Sequence, residues 1–373
     1  MNPRIENITE SDDHLSFTLS GVNVSLANAI RRTILSDIPT VVFKTSPYEE
    51  NKATILENTT RLNNEIIKQR LSCIPIHITD LEMPLKNYLM EVKVENITDT
   101  IMYVTTENFK IKNLVTGQYL SEKDTRNIFP PNDYTGYFID FVRLRPKITE
   151  EILGEKINLT CEFSISTAKD DGSFNVVSTC SYGFTPDDVK INQELSKKIQ
   201  SWKDEGYTKE AIEFETSNWK LLDALRITKP DSFDFIIQTI GVFTNNEILN
   251  KACEIIIHRL AELDTIIETD EIKIERSLNT MENSFDIILE NEDYTIGKII
   301  EYMLYAKFFH SMKTMSFCGF KKMHPHDTES IIRVAYNEAI DKSGIKQNLK
   351  ECVVESIQIF QKIKKEFLKM MKN

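Results

Sequence analysis

The stretch LSFTLSGVNVSLANAIRRTILSDIPT, from Leu15 to Thr40, decides the reading of the fold. Its first five residues alternate apolar and polar, as a half-buried strand does. Gly21 supplies a turn, and a helix is expected from about Ser25 to Ser36. Leu26, Ile30 and Ile34 recur every four residues and form one buried stripe, while Arg31 and Arg32 point elsewhere. Pro39 ends the helix, because the residue before a proline resists helical geometry.

This unit is echoed 270 residues later. Ser25-Leu-Ala-Asn-Ala-Ile30 aligns with Thr295-Ile-Gly-Lys-Ile-Ile300, and Ile34 then falls on Leu304. Both copies follow an alternating strand, Leu15–Leu19 and Phe285–Leu289. Both carry a small residue, Ala27 or Gly297, where another backbone could approach closely. Each leads on to a long amphipathic helix, 244–264 in the first copy and about 343–371 in the second. Thr244 and Glu247 have the spacing of a capping box at the start of the first of these. One pair of repeats at this distance is not a solenoid. It has the pattern of a dimer fused into one chain.

Between the copies the chain reads mainly as strands up to about residue 185. Tyr88–Val94, Ile157–Ile165 and Val176–Cys180 are the clearest, with a short helix from about Asn63 to Arg70. Residues 186–225 are polar and rich in lysine and glutamate, consistent with exposed helices and loop. Phe233–Thr239 is a further strand. From Glu262 to Asp293 there are eleven acidic and two basic residues, and a domain junction is expected in this span. In the C-terminal helix, Leu349, Cys352, Val353, Ile357, Phe360, Phe367 and Leu368 are expected along a broad apolar face. That face should pack on the helix at 244–264 and on the first helix near Ile30 and Ile34.

Composition narrows the function. The chain has 373 residues, 41% hydrophobic and 27% charged, the balance of a globular protein of two or three domains. No apolar run reaches the ~18–20 residues of a membrane span. The N-terminus lacks the basic-then-apolar layout of a secretory signal, so an intracellular protein is expected. A net charge of −12 makes direct bulk affinity for DNA or RNA unfavourable. The six cysteines, Cys73, Cys161, Cys180, Cys253, Cys318 and Cys352, form no C-x-x-C pair. A zinc ribbon is therefore not expected, and scattered cysteines of this kind are usually small buried hydrophobes.

The longer motifs resemble a known family. NAIRRTILSDIPT (Asn28 to Thr40) is similar to the signature helix of the alpha-like assembly subunits of multisubunit DNA-directed RNA polymerases. That group comprises bacterial alpha, archaeal D and the third-largest eukaryotic subunit. NTTRLNNEIIKQRLSCIPIHI (Asn58 to Ile78) resembles the family's following segment, with Glu65, Arg70, Leu71, Ile74 and Pro75 at matching places. RLRPKITEEILGEKINL (Arg143 to Leu159) and FDFIIQTIG (Phe233 to Gly241) resemble its later strands. FDIILENEDYTIGKIIEYML (Phe285 to Leu304) and FCGFKKMHP (Phe317 to Pro325) resemble the smaller archaeal L-type partner. Such a fusion is similar to polymerases of large cytoplasmic DNA viruses, which implies the host cytoplasm (the virus factory) and the virion as locations.

The resemblance implies an α+β fold of two related strand–helix dimerisation halves, paired through a helical bundle. The first half would be 1–44 with 226–266, carrying an inserted mainly β domain at 45–225, and the second 267–373. It implies a non-catalytic scaffold for the largest and second-largest polymerase subunits, alongside other subunits. DNA would be met only through the complex, and a membrane not at all. Arg31, Arg32, Glu65 and Arg70 would form the large-subunit interface, since arginine makes paired hydrogen bonds to carboxylates or carbonyls. Leu26, Ile30, Ile34, Ile256, Leu260, Ile296, Ile300, Leu304, Val353, Ile357 and Phe360 would form the bundle. The chain lacks the cysteine clusters with which many relatives bind zinc or an iron–sulfur cluster. It also departs from the family at Ser173–Val176, and at Lys298 and Glu301.

Catalytic chemistry finds little support. Asp170-Asp171-Gly172 between strand-like runs reads as a hairpin turn. His324-Pro-His326-Asp327 offers two imidazoles and a carboxylate, and a small metal-dependent hydrolase built on them is the alternative reading. No Gly-Lys-Ser/Thr phosphate loop or G-x-S-x-G elbow occurs, and no cofactor is expected.

Overall fold

The computed structural model describes residues 1–11, 14–149, 151, 153–278 and 281–370. Glu150 and Ile152, within the Arg143–Leu159 stretch, and Met371, to which the sequence extends the last helix, lie outside them. The fold is α+β. Its helices are α1 (Val24–Ser36), α2 (Asn64–Ser72), α3 (Glu122–Ile128), α4 (Asp188–Asp204), α5 (Lys209–Leu221), α6 (Asn245–Glu268), α7 (Tyr294–Leu304) and α8 (Lys342–Met370). Two compact units divide the chain.

The first unit comprises Met1–Thr33, Thr179–Gln238 and the residues from Leu249 on. It holds two antiparallel four-stranded sheets of the same plan. One runs Arg4–Ser11, His14–Ser20, Thr228–Thr239, Val177–Pro186; the other runs Lys273–Arg276, Ser284–Glu290, Glu329–Tyr336, Met315–Lys321. In each, a two-stranded start leads into a helix, α1 or α7. The third strand in spatial order then leads into the long helix, α6 or α8. His14–Ser20 and Ser284–Glu290 stand 270 residues apart at both ends. Register keeps the apolar residues together: Leu15, Phe17 and Leu19 face Ile237, Phe235 and Phe233, all buried. On the second sheet Ile287 faces Ile332, also buried.

Local chemistry starts the helices. Asn23 Oδ1 accepts from the Ser25 N–H and Asp293 Oδ1 from the Thr295 N–H, each satisfying an orphan donor of the first turn. Before α6 the capping box forms: the Glu247 N–H donates to Thr244 Oγ1, and the Thr244 N–H to Glu247 Oε2. The polar 186–225 stretch contains α4 and α5, which close a small cluster of Leu195, Trp219 and Ala224.

The second unit comprises Ile34–Ser178 and Thr239–Ile248. A four-stranded sheet runs Ala53–Asn58, Lys156–Glu162, Tyr88–Glu95, Lys110–Asn113, beside two two-stranded pairs. Its core includes stacked and edge-on rings of Phe43, Phe109, Phe129, Phe141 and Phe163.

Four expectations need correction. The strand read at Ile157–Ile165 breaks at Phe163, whose ring turns into the core against Phe43 at 5.3 Å; Ser164–Ser166 then pairs with Thr40–Val42 instead. Asp170–Gly172 does not close a hairpin, because the flanking strands belong to different sheets. The group that approaches Gly297 is the ring of Phe320, which a Cβ there would meet at 2.0 Å, and not another backbone. On α8, Ser356, Ile359 and Ile363 are buried while Ile357 is half-buried and Leu368 exposed. The buried row follows 349, 352, 353, 356, 360, 363 and 367, the true helical spacing, and Ser356 is accommodated by donating to the Cys352 carbonyl.

Candidate subunit interface

Ten of the eleven residues assigned to the bundle (Leu26, Ile30, Ile34, Ile256, Leu260, Ile296, Ile300, Leu304, Val353 and Phe360) are at most 1% exposed, and Ile357 is the exception. Within the first unit α7 packs along α8, and α8 also reaches the Arg4–Ser11 strand of the other sheet. Phe367 near the end of α8 meets Phe17 edge-on, with ring centroids 5.8 Å apart. Lys364 of α8 pairs with Glu254 of α6 at 2.6 Å, and Lys350 with Glu268 at 2.5 Å. Lys346 pairs with Asp270 just beyond α6. Elements of the first repeat therefore contact elements of the second along most of α8.

A second seam lies at the start of α7. Arg32 Nη2 donates to Asp293 Oδ2 and Arg32 Nε to Thr295 Oγ1, both at 3.0 Å. Arg259 of α6 binds the Glu292 carboxylate through Nε and Nη2 and lies 4.0 Å from Asp293. The side chains of Arg259 and Glu292 are each only 16% exposed. Burial pushes the Asp293 carboxyl up. The Thr295 N–H and hydroxyl, with Arg32 and Arg259, outweigh it and hold the group below the ordinary aspartate range. Sequence reading missed Arg259, Glu292 and Asp293. Their one signal was a carboxylate pair directly before a helix start, and it sat inside the acidic stretch read as a junction.

The four residues assigned to large-subunit contacts are not equivalent. Arg31 is half-exposed, with Nε donating to Asn28 Oδ1 on its own helix at 3.0 Å. Arg32 belongs to the seam just described. Glu65 is exposed in the first turn of α2. Arg70 clamps the carbonyls of Phe141 and Asp140 at 2.7 and 2.8 Å. This holds α2 to the Asp140–Leu144 strand. Arg70 also lines a hollow of about 540 Å³ with Arg61, Arg143, Ile101 and Tyr103, beside Asp140 and the Arg145–Glu155 ion pair. Arg143 stands opposite Tyr103 across the strand pair. The family departures Lys298 and Glu301 pair with each other on α7.

The hydrolase constellation is spent on its own turn. The His324 N–H donates to Asp327 Oδ2, and the His326 N–H to His324 Nδ1. Among the described residues, no group of three or more His, Cys, Asp or Glu side chains is arranged to hold a metal ion. Cys73 is exposed, whereas burial pushes the thiols of Cys180, Cys253, Cys318 and Cys352 up to about 12. No helix among the described residues is long and apolar enough to cross a membrane.

Comparison with known proteins adds to this geometry. Residues 16–260 match the RNA polymerase Rpb3/Rpb11 dimerisation domain. The chain is 26% identical over 298 residues to the DNA-directed RNA polymerases I and III subunit rpac1 of Dictyostelium discoideum, covering 69% of this chain and 80% of that one. It is 27% identical over 263 residues to the DNA-directed RNA polymerase subunit Rpo3 of Thermoplasma volcanium, covering 65% and 91%. A shorter match, 38% over 72 residues, covers 19% of this chain and 25% of Rpo3 from Pyrococcus furiosus.

Proposed function

Because the chain belongs to the family of the RNA polymerase Rpb3/Rpb11 dimerisation domain, we propose that it is a non-catalytic assembly subunit of a DNA-directed RNA polymerase. Both dimerisation halves lie in the one polypeptide. The observation that carries this is the duplicated plan of the first unit. Two sheets of identical strand order, each with a short and a long helix, occur in the chain, and the strand–short-helix unit recurs at a spacing of 270 residues. The family match ends at residue 260, so the L-like assignment of 267–373 rests on this repetition and on the motifs at Phe285–Leu304 and Phe317–Pro325.

On this reading the first half is 1–44 with 226–266, and 45–225 is the insert, whose Val177–Pro186 strand completes the first half's sheet. The first half faces the second-largest polymerase subunit and 267–373 faces the largest. Fusion replaces a bimolecular pairing with an intramolecular one at high effective concentration. Within the docking set Glu65 and Arg70 are exposed and Arg31 is half-exposed. The arginine-lined hollow beside Arg70 takes an acidic, partly apolar segment of a partner subunit, since Arg61, Arg143 and Tyr103 combine charge with apolar area. Arg32 acts from behind, and Arg70, at the wall of the hollow, also holds α2 to the Asp140–Leu144 strand. A single-chain arrangement of this kind fits a viral polymerase working in the host cytoplasm.

The test is purification of the tagged chain from its native source. Co-purification of two very large chains with templated RNA synthesis supports the reading, and an isolated monomer overturns it. Within the complex, Arg31→Glu and Arg61→Glu/Arg143→Glu are expected to reduce recovery of the large chains while leaving the subunit folded.

A further inference from the structure

The two repeats are alike in backbone and apolar pattern but not in charge. Shifting α1 by 270 residues onto α7 places Leu26, Ala29, Ile30, Thr33 and Ile34 on Ile296, Ile299, Ile300, Met303 and Leu304, all ten of them buried. Shifting α6 by 100 residues onto α8 places Leu249, Ala252, Cys253, Ile256, Leu260, Leu263 and Ile267 on Leu349, Cys352, Val353, Ser356, Phe360, Ile363 and Phe367, again all buried. Under the same shifts Arg32 falls on Tyr302 and Arg259 on Ile359. The acceptors Glu292 and Asp293 fall on Val22 and Asn23. The positions that these shifts make equivalent to the charged seam therefore carry uncharged residues.

We propose that Arg32 and Arg259 on the first half, with Glu292 and Asp293 on the second, are the specificity determinants that make the halves pair with each other and not with copies of themselves. This rests on the reading of the chain as two fused dimerisation halves. The apolar rows occupy the same positions in each half and carry no charge with which to reject a like partner. The charged seam can reject one. Two first halves placed on each other would bring Arg32 and Arg259 against Val22 and Asn23, and two-fold symmetry would repeat the mismatch. A guanidinium as enclosed as that of Arg259 would lose its hydration and gain no carboxylate. Two second halves would bring Glu292 and Asp293 against Tyr302 and Ile359, where a phenol offers one hydrogen bond and no charge. Only the mixed pairing leaves every one of these charges compensated. Both wrong pairings are penalised, which is how similar surfaces acquire specificity.

The experiment uses the full chain with a protease site inserted after Thr269, in the exposed turn between α6 and the Lys273–Arg276 strand. After cleavage, native mass spectrometry over a dilution series follows whether fragments stay paired and in which combination. The wild type is expected to remain a one-to-one mixed pair. Arg259→Glu sets a carboxylate against Glu292 and Asp293, and Glu292→Arg sets a guanidinium against Arg259. Each is expected to shift the fragment-dissociation midpoint by about tenfold or more and to yield like-with-like pairs. The exchanged double variant, Arg259→Glu/Glu292→Arg, is expected to recover most of the mixed pairing, which separates a charge code from a simple failure to fold. Single reversals that pair as tightly as wild type, or a double variant worse than both singles, would overturn the inference and leave the fused-subunit reading intact. Wild-type fragments that separate on cleavage would overturn both.

Discussion

Phe17, in the first sheet, and Phe367, at the far end of α8, meet edge-to-face with centroids 5.8 Å apart, although 349 residues separate them in the chain. Phe17 also stacks on Phe235 of the neighbouring strand at 5.1 Å. The last helix, which belongs to the second repeat, thus ends on the sheet of the first.

Phe360 is fully buried on the same row. Phe360→Ala should cost about 3–5 kcal/mol, the usual penalty for truncating a core phenylalanine. Leu368→Ala, at a site 45% exposed, should stay within about 0.5 kcal/mol of wild type. Urea unfolding of both variants is the comparison. Equal midpoints would show that the ring does not contribute to the core.

Gly297 tests packing against propensity. Helix propensity alone would make Gly297→Ala stabilising by about 1 kcal/mol. The added Cβ would instead meet Phe320, a ring already set edge-on to Tyr294 at 5.0 Å. Displacing it is expected to make the net effect destabilising by about 1–3 kcal/mol. Gly297→Ala/Phe320→Leu should recover part of that loss in thermal melts. A higher melting temperature for the single variant would refute the steric account.

Thiol chemistry should divide the cysteines sharply. The thiolate is the reacting species, and burial raises Cys180, Cys253, Cys318 and Cys352 to about 12 and Cys161 further still. At mildly alkaline pH one thiol, Cys73, should react promptly with a disulfide reagent. The other five should appear only on denaturation. Mass mapping of the labelled peptides reads this directly.

Acid should loosen the second repeat through two carboxylates. Arg333 binds Asp286 through both oxygens at 2.6 Å; this pairing outweighs burial and, with Ser277, holds that carboxyl low. Asp293, faced by Arg32, Arg259 and Thr295, is also held low. A depressed folded pKa stabilises above the unfolded value, about 3.9, and that stability is lost as pH falls through the folded value. Stability should therefore be level near neutrality and decline below about pH 4. Asp293→Asn keeps a capping oxygen but removes the charge. It should lower stability at pH 7 more than at acid pH, flattening the decline, and an unchanged pH profile would exclude the linkage.

Much of the fold was legible in the sequence by itself, because period and spacing are local properties. The 3.6-residue rows gave α1, α6, α7 and α8, alternation gave the His14–Ser20 and Ser284–Glu290 strands, and Thr244 with Glu247 marked a helix start. The repeat was legible too, since a shared core demands shared apolar positions. Tertiary structure decided what spacing cannot express. It determined which strand pairs with which, so that Phe163 breaks one strand and Asp170–Gly172 joins two sheets. It turned Arg32 from a surface residue into a seam residue, because its partners lie 261 and 263 residues away in the chain. It also gave the acidic stretch ending at Glu292 and Asp293 a partner in Arg259. Ion pairs of this kind are properties of the packed state: burial makes an unpaired charge costly and a paired one selective, and only the folded chain shows which charges are buried together.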